Sequence, residues 1–204
     1  MLFDDSYQTI EAPVEGFFKD RGSKFLAFAY PIRSEEDTKP LLLNLREQHP
    51  KAVHHCYAYR LGPDRNHFRA NDDGEPSGTA GRPILNTLYS RDLTNLLVVV
   101  VRYFGGTLLG VPGLINAYKT ATEEALSQAT VTTHYVCDIY QILFPYETMN
   151  EVMRVVKSYA LDVQEQDFAM TCKLLVRVRK TQLNQVVPAL EAIRHAEVKY
   201  LHTV

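Results

Sequence analysis

Two glycine-bearing stretches hold most of the side chains whose types and spacing could do chemistry. In the first, Asn71-Asp-Asp-Gly-Glu-Pro-Ser-Gly-Thr-Ala-Gly-Arg-Pro83, carboxylates at Asp72, Asp73 and Glu75 precede Ser77, Gly78, Thr79 and Arg82. The acids suit a divalent ion or acid–base work, whereas the second half suits an anion at a helix start. These two uses conflict electrostatically. The calcium-loop spacing D-x-[DN]-x-[DN]-G is not met and the loop has no histidine, so no metal is expected. A nucleophilic Ser77 would need a G-x-S-x-G elbow, which Glu75-Pro-Ser-Gly does not supply. The structural alternative is an Asx-rich turn that fixes the next helix, with Thr79 as its cap.

The second stretch, Val98-Val-Val-Val-Arg-Tyr-Phe-Gly-Gly-Thr-Leu-Leu-Gly-Val-Pro-Gly-Leu114, is an apolar run that stops at glycines and restarts as a helix. Leu96 to Val101 lacks polar alternation, as expected of a strand covered on both faces. Arg102 stands where that strand emerges. Gly105 and Gly106 can adopt backbone angles closed to other residues and turn their N–H groups toward a phosphate. Alternatively they make only a tight turn, and Arg102 pairs with a carboxylate. The spacing fits neither G-x-G-x-x-G nor a P-loop, and no cofactor is expected.

Other charged groups follow secondary structure. Lys19, Arg21 and Lys24 cluster at the tip of a hairpin formed by Val14 to Lys19 and Phe25 to Tyr30, where they suit either solvent or phosphates. In Thr171 to Lys180, Lys173, Arg177 and Arg179 alternate with Leu174, Val176 and Val178. That pattern fits a half-open sheet whose basic face is solvated or contacts RNA. The RNA-recognition-motif aromatic signature is absent. His54 and His55 fall on opposite faces of a strand over Ala52 to Leu61, so they cannot chelate one metal together, though either could act as a base.

The elements that must hold these groups read in two series. The hairpin leads to a helix from Ser34 through about Glu47, opened by a capping box and striped by Leu41, Leu42 and Leu45. Next come the Ala52–Leu61 strand, a helix carrying Ile84, Leu85 and Leu88, the central strand, and a helix from Gly113 to Ala129 with Ala117, Ala121 and Ala125 on its packed face. This gives an α/β sandwich with helices on one side. From Val131 the order is strand to Phe144, helix Thr148 to Tyr159, paired strands Leu161 to Phe168 and Met170 to Val178, helix from Thr181, and strand Glu197 to Val204. That βαββαβ succession is ferredoxin-like. Pro188 either kinks or shortens its helix. The expected class is α+β in two domains, residues 1–130 and 131–204.

Composition bounds the function. At 204 residues, 46% hydrophobic and with net charge −2, the chain can bury a sizeable core, and any nucleic-acid surface must be a local patch. Cys56, Cys137 and Cys172 read as buried thiols in a reducing compartment. The N-terminus has no signal-peptide pattern, and no run reaches transmembrane length, so a soluble cytoplasmic protein is expected.

The string Val-Val-Arg102-Tyr-Phe-Gly-Gly-Thr-Leu-Leu-Gly110, with Asp72-Asp-Gly-Glu-Pro-Ser-Gly-Thr-Ala-Gly-Arg-Pro83, closely resembles the IMPACT family, in particular its short bacterial YigZ branch. Matching positions are Asp73, Gly74, Glu75, Pro76, Gly78, Thr79, Ala80, Gly81, Pro83, Arg102, Gly105, Gly106 and Gly110. The resemblance implies an N-terminal domain similar to the second domain of a small-subunit ribosomal protein and to domain IV of the translocating elongation factor, with a left-handed β-α-β crossover. It implies a C-terminal domain similar to domain V of that factor. Eukaryotic members restrain the starvation-response kinase of translation initiation through an added RWD domain; this chain begins at the hairpin, so that kinase-regulatory role is not expected to transfer, while a stress-response role in translation stays among the expectations.

The leading expectation is a non-catalytic RNA- or ribosome-binding protein that modulates translation, with possible protein partners in the translation machinery and no membrane contact. Its contacts would come from Lys24, Ser77, Gly78, Thr79, Arg82, Arg102, Gly105 and Gly106, with Lys173, Arg177 and Arg179. The alternative is an enzyme acting on a small phosphorylated or peptide substrate through Asp72, Asp73, Glu75, Ser77 or His54. A pure protein-interaction module is the third possibility.

Overall fold

The computed structural model describes residues 5–204; the reading of the first residues as lacking a signal pattern concerns positions largely outside them. Two compact units are present, one over Tyr7–His134 and the other over residues 5–6 with Tyr135–Val204. The fold is α+β throughout, and no helix among the described residues is long and apolar enough to cross a membrane.

The first unit is built on a five-stranded sheet of β2 (Val14–Asp20), β3 (Ser23–Pro31), β4 (His54–Leu61), β5 (His67–Asn71) and β6 (Leu96–Tyr103), after a short β1 (Ser6–Ile10). Its order is β2-β3-β6-β4-β5 with every neighbouring pair antiparallel. Strand β6 lies at the centre, and Leu96 through Val101 are fully buried because both sheet faces are covered. Helices α2 (Gly81–Ser90) and α3 (Gly110–Ser127) cover one face, where Ile84, Leu88, Ala117, Ala121 and Ala125 meet Ala27, Cys56, Val98 and Val100. Helix α1 (Thr38–Gln48) puts Leu45, with Leu41 and Leu42, on the other face against Phe28, Tyr59, Val99 and Val101.

Helices therefore flank the sheet on both sides, correcting the one-sided arrangement expected from the element order. The two-faced burial of β6 demands the second layer. Helix α1 also starts later than its capping-box pattern suggests. The Asp37 carboxylate accepts the N–H groups of Arg33 and Ser34, which makes a turn ahead of the helix. Strand β5 was not foreseen, because its short run His67-Phe-Arg-Ala-Asn71 is largely exposed and has no apolar alternation.

The strand expected over Val131 to Phe144 is broken at Val136. Its first part, β7 (Val131–Tyr135), pairs with β1. Its second part, β8 (Cys137–Pro145), enters the other unit with α4 (Met149–Ser158), β9 (Asp162–Asp167), β10 (Thr171–Arg179), α5 (Leu183–Glu191) and β11 (Glu197–Thr203). The sheet order β11-β8-β10-β9 with two helices is the ferredoxin-like βαββαβ arrangement. Phe144, Cys172, Leu174, Val176 and Val178 pack there against Val152, Val156, Val186 and Leu190. Pro188 lies within α5. Thr181 gives its N–H and hydroxyl to Asp5, and α5 begins two residues later. All three cysteines are buried free thiols.

Candidate functional site

In the first unit, antiparallel register places His54 of β4 directly opposite Arg102 of β6, and Phe25 of β3 opposite Arg102 on the other side. Over them folds the loop between β5 and α2. Asp72 organises that loop: one carboxylate oxygen accepts Gly78 N–H at 2.8 Å, and the other accepts Ala80 and Gly81 N–H at 3.0 and 2.8 Å. The amides at the start of α2 are thus held by an internal carboxylate, which is the anion that a helix N-terminus favours. Thr79 does not cap the helix; its hydroxyl donates to Pro76 O at 2.6 Å. Ser77 and Arg82 are exposed.

Asp73 is a second internal anchor. Its carboxylate accepts His55 N–H at 2.6 Å and pairs with Arg46 of α1 at 2.8 Å, and its positive φ of 43° is fixed partly by its own N–H bond to Asn71. Its carbonyl accepts the Nδ1–H of His54 at 2.7 Å, since a carbonyl can only accept. That bond fixes the tautomer, and neutral His54 therefore presents Nε2 as an acceptor.

Glu75 is the most buried of the loop's three acids, 9% exposed, and one carboxylate oxygen accepts from Arg102 Nη1 at 2.6 Å and from Tyr118 OH of α3 at 2.7 Å. Arg102 is itself 5% exposed, its guanidinium lying near the Phe25 and Phe104 rings. The other Glu75 oxygen lies 3.9 Å from His54 Nε2 and receives no hydrogen bond from a described residue. Cys56 donates to Asp72 O at 3.0 Å and contacts Tyr118 OH at 3.3 Å. Burial pushes the Cys56 thiol and, still further, the Tyr118 phenol well above their ordinary values. Both keep their protons.

A cavity of about 410 Å³ opens over this cluster, lined by His54, Glu75 and Arg102 below and by Phe104, Leu108, Leu109, Val111 and Leu114 on its walls. No serine, threonine or cysteine lines it among the described residues. Asp72, Asp73 and Ser77 do not line it either, so the five groups of the enzyme reading do not converge. Only His54 and Glu75 face the same space.

The glycine loop beyond β6 leaves Phe104 to Leu108 exposed. Gly105 packs so closely on the Gly22–Ser23 backbone that a Cβ would overlap it, and its N–H goes to Ser23 Oγ at 3.1 Å. Gly106 has φ +87° with open space around it. The expected anion pocket of loop amides plus Arg102 is therefore corrected: Arg102 is locked to Glu75, and one of the paired amides is bonded internally. The contact of Gly105 with Gly22 brings the loop beside the hairpin tip instead. There Lys19, Arg21 and Lys24 are exposed, and none pairs with a described acid.

In the second unit the basic stripe is neutralised by acids of the same unit. Lys173 pairs with Glu165 at 2.9 Å, Arg177 with Asp162 at 3.7 Å, and Arg179 with Asp5 at 2.7 Å while lying over the Tyr135 ring. Two members of the Glu75 cluster, Tyr118 and Cys56, carried no sequence signal beyond membership of an apolar face. A tyrosine beside the alanine row of α3 is the one cue the sequence offers.

The Impact N-terminal domain family matches residues 21–126 of this chain. The chain is 29% identical over 203 residues to the IMPACT family member YvyE of Bacillus subtilis, spanning 96% of this chain and 94% of that protein. It is 35% identical over 147 residues to the IMPACT family member YigZ of Escherichia coli, spanning 68% and 72%. A crystal structure described as a hypothetical protein superposes with a TM-score of 0.70 at 26% identity, covering 98% of this chain and 99% of that one. With the family's domain matched over more than half its length, and its Asp73–Pro83 and Arg102–Gly110 positions gathered around one buried cluster, the chain belongs to the IMPACT family.

Proposed function

We propose that this chain is a cytoplasmic RNA- or ribosome-binding protein that modulates translation without catalysing a reaction. One placement supports the reading. The close contact of Gly105 with Gly22 gathers Lys19, Arg21 and Lys24, free of described acids, beside the exposed loop carrying Gly106. Flexible cations next to an exposed loop grip phosphates in a sequence-tolerant way. The family resemblance, which implies a first domain similar to ribosomal-protein and elongation-factor domains, supports the same reading. In this reading Lys24, Gly105 and Gly106 belong to the contact surface, with Arg82 as a further exposed cation. Arg102, Gly78 and Thr79 hold the scaffold, and Lys173, Arg177 and Arg179 contribute little because acids already meet them.

The test is sedimentation of lysate through a sucrose gradient at low and high salt. Wild-type protein is expected with a ribosomal subunit at low salt and at the top of the gradient at high salt. The double variant Arg21→Glu, Lys24→Glu is expected at the top in both. A folded double variant that sediments like wild type would refute the reading.

A further inference from the structure

The cavity above Glu75 has no part in phosphate binding, and its floor has a definite chemistry. Glu75 offers one carboxylate oxygen with no hydrogen bond from a described residue, and His54, held by Asp73 through Nδ1–H, offers Nε2. With the imidazole in its neutral Nδ1–H form both are acceptors, 3.9 Å apart. A ligand that satisfies them must bring two donors on one small group. A nitrogen about 2.9 Å from each acceptor would see them about 85° apart, near enough to an H–N–H angle for two bent hydrogen bonds. A hydroxyl has one proton and can satisfy only one of the pair.

Charge narrows the choice. The Glu75 carboxylate is already balanced by Arg102 at 2.6 Å, so a buried ammonium would arrive without a counter-charge. A neutral amino group on a conjugated ring avoids that cost. The walls agree, since Leu108 and Val111 are exposed apolar groups and the Phe104 ring, 49% exposed, gives the lining an aromatic face suited to stacking. A volume near 410 Å³ is in the range of small-ligand pockets.

We infer that this cavity takes an unpaired nucleobase bearing an exocyclic amino group, which donates both protons to Glu75 and His54. The inference rests on the RNA reading above and adds base selection to it. Cytosine and uracil separate the cases, because they match in size and uracil replaces the amino group with a carbonyl that would face two acceptors.

The experiment measures anisotropy of labelled oligocytidylate and oligouridylate of equal length with the full chain, alongside NMR titration with free cytidine and uridine. Oligocytidylate is expected to bind about tenfold more tightly, and cytidine alone to shift the Val111 and Leu114 methyl resonances. His54→Phe keeps a ring in place but removes the acceptor, and is expected to bring the two oligonucleotides within about twofold of each other by weakening oligocytidylate. Equal wild-type affinities would overturn the base pocket and leave phosphate binding standing. If neither oligonucleotide binds, the RNA reading fails, and the nucleoside titration still judges the pocket, with no cytidine-specific shift overturning it. Discrimination that survives in folded His54→Phe overturns the assigned floor.

Discussion

Arg102 and Glu75 illustrate how a residue that looks available in sequence is consumed by its neighbours. A buried ion pair that loses one partner leaves the other charge without compensation, at a cost of about 3–5 kcal/mol. Arg102→Met is therefore expected to lower unfolding free energy by about that amount in urea melts, and adding Glu75→Gln should restore part of the loss. An Arg102 variant that keeps full stability would show that the pair is not what holds the loop. The two glycines of the loop make a sharper contrast. Gly105→Ala drives a methyl into the Gly22–Ser23 backbone and is expected to cost more than about 2 kcal/mol. Gly106→Ala has room and strains only a positive φ, for about 1 kcal/mol. Equal melting losses for the two would contradict this assignment of roles.

At the scale of elements, acids in turns do much of the positioning. Asp72 holds the start of α2, Asp73 ties the loop to α1 and β4, and Asp5 holds the turn before α5. Burial acts upward on the Asp5 carboxyl, but hydrogen bonds from Arg179 and Thr181 outweigh it and hold the group at about 2. Because the folded value lies below the unfolded one, the stabilisation is complete above about pH 4 and is lost as pH falls through about 2. Its size is about 1–2 kcal/mol, reduced because Arg179 is partly solvated. Unfolding of wild type and Asp5→Asn followed from pH 7 to pH 2 should show a stability gap that closes in acid. A gap that widens in acid would reverse the sign. The sequence left these roles open, since the acids of this loop suit catalytic or metal-binding work as well as an Asx-rich turn that fixes the next helix, and the fold shows their oxygens facing the chain's own amides.

For the whole molecule, a net charge of −2 leaves no long-range field to draw in RNA, so binding must come from a local patch. If Lys19, Arg21 and Lys24 each neutralise one phosphate, log affinity for single-stranded RNA should fall against log salt with a slope of about −2. Titrations at several salt concentrations check this, and a slope near zero would exclude the patch as the source of affinity. The chain by itself determined what periodicity and local chemistry dictate: the hairpin, the central buried strand, the amphipathic helices, the ferredoxin-like succession, and the two motifs that mark the family. These depend on residues near one another in sequence, whose spacing records which face is buried. Only the tertiary structure decided that Arg102 belongs to Glu75, that Gly105 belongs to Gly22, and that His54 and Glu75 share a cavity. Each of those pairings joins segments 21 to 83 residues apart, and the register of strands around β6 is what brings them together.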